Sequence, residues 1–88
     1  MLVVVFLFVF SGSLFGQAAS GNERFDQKQY VEAANAYERI PVAQRDIGIY
    51  NRLGISYHLS NQLRAAENAY RSGLRLSQNN ANVLNNLA

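Results

Sequence analysis

The chain has no cysteine and no tryptophan in its 88 residues, and only one proline, one histidine and one methionine. Without cysteine there is no disulfide framework, no thiolate metal site and no lipid-modified thiol. The single histidine, His58, has no nucleophile beside it at a usable spacing, and neither metal-ligand spacings nor a glycine-rich phosphate loop occur. Charge is also scarce: 16% of residues are charged and the net charge is +2, too mild a balance to argue for nucleic acid by itself. The six acidic residues are scattered over polar positions rather than paired. These absences lead to the expectation of a non-enzyme with no catalytic residue, no metal and no cofactor. At this length the chain is one small domain at most.

The N-terminal end is the opposite extreme. Leu2 to Phe10 is an unbroken apolar run, followed by small and polar residues from Ser11 to Ser20. A short apolar core followed by small residues is the layout of a secretory signal peptide, and Gly16-Gln17-Ala18 suits a cut before Ala19. The run falls well short of the roughly 20 residues of a membrane-spanning helix. No Lys or Arg precedes it, so the amino terminus would supply the positive charge, or the true start lies upstream. Residues 1–19 therefore read as a signal peptide or N-terminal anchor, which implies an exported protein (periplasmic, secreted or membrane-anchored). Contact with a membrane is expected only through this segment, if it stays uncleaved.

From Ser20 onward the pattern is helical. Tyr50, Leu53, Gly54 and Tyr57 fall at i, i+3, i+4 and i+7, as one helix face requires, and Leu63, Ala66, Tyr70 and Leu74 mark the buried stripe of a second helix. Gly54 and Ala66 are small, so two antiparallel backbones can approach there. A mid-helix glycine costs about 1 kcal/mol relative to alanine, and a close contact is the reason to expect one. Gly21, Phe25, Tyr30, Ala33 and Tyr37 stand 33 residues before Gly54, His58, Leu63, Ala66 and Tyr70. Leu84, Leu87 and Ala88 stand 34 residues after Tyr50, Leu53 and Gly54. The Ser20-x-x-Glu23 capping box predicts a short helix from Gly21 to about Lys28. Further helices are predicted from about Tyr30 to Arg39 (stopped by Pro41), over Tyr50 to Tyr57 with Asp46 as N-cap, from Leu63 to Ser77, and from Ala81 after a break at Asn79-Asn80.

The run aromatic-x2-Leu-Gly-x2-Tyr followed by Ala-x3-aromatic resembles the tetratricopeptide repeat (TPR), a 34-residue helix–turn–helix unit. Tyr or Leu replaces the frequent Trp, Gly73 a usual Ala and Gln78 a usual Pro. The resemblance covers 20–88 as about two repeats and the truncated start of a third. It implies an all-α fold of antiparallel helix-pair repeats stacked as an α-solenoid.

Members of that family bind a peptide or partner protein in a concave groove lined by the first helix of each repeat. On this sequence the groove positions are Asn22, Phe25, Asp26, Asn51, Ile55, His58, Asn82 and Asn85. Asparagine amides offer both a donor and an acceptor to a peptide backbone, although the same residues also serve solubility. The two-carboxylate clamp used by some members for chaperone tails is not expected, since Ala18 and Arg52 stand where Lys and Asn belong. The tyrosines read as core, and the row Arg64, Arg71, Arg75 as a solvated face with an anionic partner as the alternative. The expectation is an exported protein–protein interaction scaffold that does not bind nucleic acid. The alternative is the N-terminal scaffold of a larger exported enzyme or sensor. Leu84 and Leu87 project from a helix that lacks a partner, so self-association through the C-terminal helix is a further expectation.

Overall fold

The computed structural model describes residues 13–87, arranged as four α-helices: α1 Ser13–Asp26, α2 Tyr30–Glu38, α3 Ile47–Leu59 and α4 Leu63–Leu87. A single 3-10 turn, Val42–Gln44, joins α2 to α3. No strand occurs among the described residues, in keeping with the all-α expectation. Each helix packs on its neighbours in the chain, and α1 also touches α3.

The stops and starts have local causes. α2 ends three residues before Pro41, which fixes its own φ and has no N–H to donate. Arg45 then reaches back, donating from Nε to the Ile40 carbonyl and from Nη2 to the Glu38 carbonyl, both at 2.9 Å. This satisfies acceptors that a helix C-terminus leaves unpaired. Asp46 caps α3 as expected, its Oδ1 accepting the Ile49 N–H at 2.8 Å.

The turns α1–α2 and α3–α4 are the same object displaced by 33 residues. Lys28 and Asn61 both adopt the left-handed conformation, at φ 63° and 64°. The N–H of Gln29 bonds to the Arg24 carbonyl and that of Gln62 to the Tyr57 carbonyl, each at 2.8 Å. One residue earlier, Lys28 N–H bonds to the Phe25 carbonyl at 3.0 Å and Asn61 N–H to the His58 carbonyl at 3.1 Å. This pair of bonds is the Schellman termination, here built without glycine at the left-handed position. The helix contacts repeat as well. A methyl group on Gly21 would fall 2.7 Å from Tyr37 Cδ1, and one on Gly54 would fall 2.6 Å from Tyr70 Cδ1. Each glycine is thus the floor on which the tyrosine of the following helix lies. The core runs through both units, with Ala33, Tyr37, Ile40, Tyr50, Leu53 and Ala69 buried.

Three expectations need correction. The first helix starts at Ser13, so Ser20 lies inside α1 rather than capping it. The 33-residue displacement explains this: shifted back, α3 falls on the span of α1, and the first unit is a full helix pair. Ala18 packs against the core, so a cut before Ala19 would remove a contributing part of α1. Second, no break occurs at Asn79-Asn80, and four α-helices stand where five were expected. Asparagine costs only some tenths of a kcal/mol in a helix and nothing there blocks propagation, unlike Pro41. Third, Leu63, Tyr70 and Leu74 are exposed, while Ala66 and Ala69 carry the buried side of α4. The pattern marks an apolar face, and no described element covers that face. The apolar run Leu2–Phe10 lies outside the described residues, as do the side chains of Asn82, Leu84, Asn85 and Leu87.

Candidate partner-binding surface

Six of the eight groove residues expected from sequence come from α1 and α3, the first helices of the two units. The structure joins these helices at one polar centre. Asn22 of α1 is half-buried, and its Oδ1 accepts the Tyr37 hydroxyl at 2.6 Å and Arg52 Nη1 at 3.1 Å. One amide oxygen therefore ties α1 to both α2 and α3. Burial pushes the Tyr37 hydroxyl pKa up. The nearby Arg52 guanidinium opposes that shift, and Asp26 adds to it. Asp26, exposed at the end of α1, and Arg52, exposed on α3, thus bring opposite charges to the same neighbourhood.

The remaining candidates separate into different roles. Phe25 is half-buried against the core, its ring edge-on to Tyr30 at 5.8 Å, so it is more a wall of the fold than a free contact. Asn51 is exposed, with its Oδ1 beside α4 where Gly73 lets the backbones come close. Ile55 is half-buried and His58 exposed. His58 stands at the rim of an apolar hollow on α4 and does not meet the Asn22 centre. Asn82 and Asn85 belong to α4 itself rather than to a separate helix.

Arg52 is not among the groove positions that the sequence points to, because it stands where the family's clamp has Asn. The signal that could have found it is positional: Asn22 and Arg52 lie one helical turn apart once the 33-residue shift is applied. A second polar centre, Arg45–Glu38–Tyr57, lies between α2, the connector and α3. Arg45 Nη2 stands 3.9 Å from Glu38 Oε2, and the Tyr57 hydroxyl donates to Glu38 Oε1. Burial and then the Glu38 hydrogen bond raise the Tyr57 pKa. This centre braces the fold. Among the described residues, no group of three or more His, Cys, Asp and Glu is placed to hold a metal ion. No helix there is long and apolar enough to cross a membrane.

No family model, no curated protein and no solved structure matches this chain.

Proposed function

We propose that this chain is a binding module of the tetratricopeptide kind, exported from the cytoplasm, that holds a peptide or partner protein on the surface shared by α1 and α3. The observation that carries the reading is the repeated unit. Two helix pairs have the same turn and the same glycine–tyrosine contact, so their first helices lie side by side and present adjacent side chains to one ligand. The Asn22–Arg52 bond holds those helices in register, with Arg52 and Asp26 exposed around it, and Asn51 is exposed further along α3 beside α4. Arginine and asparagine together favour an extended peptide. The guanidinium takes a carboxylate or carbonyl, while the amide takes a backbone N–H or C=O. Ile55 adds an apolar contact.

The test is selection from a random peptide library on the whole chain, followed by amide chemical-shift mapping with a selected peptide. Shifts should concentrate on α1 and α3, and Arg52→Ala and Ile55→Ala should each weaken binding about tenfold, the range of a moderate interface residue. Shifts confined to α4, or affinities indifferent to both substitutions, would defeat this reading.

A further inference from the structure

The 33-residue displacement allows a comparison of the two units that exposes an uncovered surface. In the first unit, Tyr37 lies on Gly21 and is 0% exposed because α3 packs over α2. In the second unit, Tyr70 lies on Gly54 in the same way but is 39% exposed. Leu63 and Leu74 on the same side of α4 are each 57% exposed. With Ala66 they form an apolar hollow of about 430 Å³, edged by Glu67 and Arg71. The equivalent face of α2 carries a helix, so this one has the shape for a helix laid along it.

We infer that the occupant is a second copy of this chain, docked α4 against α4 in antiparallel, two-fold fashion. The face is internally symmetric. Leu63 and Leu74 are equally far from the Asn68–Ala69 peptide bond, and so are Glu67 and Tyr70. A two-fold axis through that bond sets Leu63 against Leu74 of the second copy, and Leu74 against its Leu63. It also brings Tyr70 over the small Ala66 of the other helix, a large residue into a hollow, twice. On the flank, Glu67 comes beside Arg71 of the second copy, and the reciprocal pair forms at the other end. Within one chain Glu67 and Arg71 are already paired at 2.7 Å, both well exposed, so in the dimer the two pairs become a four-membered alternating cluster. A face that complements itself in shape and charge under one rotation meets the requirement of an isologous interface. One helix face buries less than a standard interface, which puts this pairing among the small, transient interfaces. This surface differs from the α1–α3 surface, and the inference does not depend on peptide binding there.

Sedimentation velocity on the full chain from roughly 10 µM to 1 mM should show a monomer–dimer equilibrium. Glu67→Arg and Arg71→Glu each place like charges across the axis and should weaken self-association about tenfold or more. An equimolar mixture of the two variants restores opposite charges at both contacts across the axis, and it should associate more tightly than either variant alone, by about tenfold. Leu74→Gln, which reduces the apolar contact without adding charge, should also weaken it about tenfold. Recovery on mixing cannot come from a folding defect, because each variant alone would carry the same defect. A chain that stays monomeric across this range overturns the inference, as does association that all three variants leave unchanged. Failure of the mixture to recover overturns the two-fold α4 pairing.

Discussion

Gly21→Ala and Gly54→Ala are the same chemical change at equivalent positions, and the structure assigns them different outcomes. In a helix interior, alanine is favoured over glycine by about 1 kcal/mol, so each substitution begins with a gain. At Gly21 the new methyl would stand 2.7 Å from Tyr37 Cδ1 and 2.9 Å from Cζ, far inside van der Waals contact. The Tyr37 ring is wholly buried, and its hydroxyl is held by Asn22 at 2.6 Å, so it has no room to swing away. Overpacking of a fixed core ring costs about 1–3 kcal/mol. Breaking the hydroxyl bond to relieve it adds about 1 kcal/mol. The net loss is on the order of 1–3 kcal/mol, a fall in Tm of about 4 °C or more for a domain this small. At Gly54 the methyl would approach Tyr70 just as closely, 2.6 Å from Cδ1 and 2.8 Å from Cζ. Tyr70, however, is 39% exposed and can rotate toward solvent at small cost. Gly54→Ala should therefore lie within about 0.5 kcal/mol of the wild type or be slightly stabilising, as surface changes are. Thermal and urea melts at low protein concentration, followed by far-UV circular dichroism, measure both. Equal losses would show that cover over the tyrosine is not what decides, and a stabilised Gly21→Ala would refute the contact itself.

Two further expectations follow from the same packing. A chain starting at Ala19 loses the first turns of α1 and the packing of Ala18, so it should melt about 4–8 °C below the full chain; an unchanged melt would show that Ser13–Ala18 contribute nothing to the fold. Tyr37 and Tyr57 hold their protons more tightly when folded than in the unfolded chain, where the hydroxyl titrates near pH 10. Their contribution is thus fully present below about pH 10 and is lost as pH rises through the folded pKa values. The urea midpoint should fall between pH 9 and pH 11, less steeply in Tyr57→Phe, and a midpoint indifferent to pH over that range would contradict the burial of both hydroxyls.

The helix pairs were legible because their signals are local. Pro41, the Asp46 cap and the i, i+3, i+4, i+7 spacing of Tyr50 to Tyr57 each act within a turn or two of chain, and each stands in the structure where it was read. The errors also have local form but non-local causes. Ser20-x-x-Glu23 has the spacing of a capping box, yet the residues before it are helix-compatible, and packing of Ala18 on the core extends the helix past it. Asn79-Asn80 looked like a turn because asparagine favours turns, but a turn there needs a contact that draws the chain aside. The candidate surface was less legible than the fold. From sequence Asn22 reads as a groove amide or a solubilising residue, and in the structure its oxygen accepts from two neighbouring helices. Arg52 gains meaning only when α1 and α3 lie side by side.

The two tyrosines show why sequence pattern stops short of burial. Tyr37 and Tyr70 have the same residue type, the same glycine beneath them and the same position after the same turn. What separates 0% from 39% exposure is whether another helix lies on top, and that is a property of the following unit rather than of the residues themselves. Periodicity records which face a helix offers for burial; it does not record what accepts the offer. Leaving such a face in water forfeits about 25 cal/mol for each Å² of apolar surface that a neighbour would have removed. Covering the exposed Leu63, Tyr70 and Leu74 of α4 would therefore gain free energy on association.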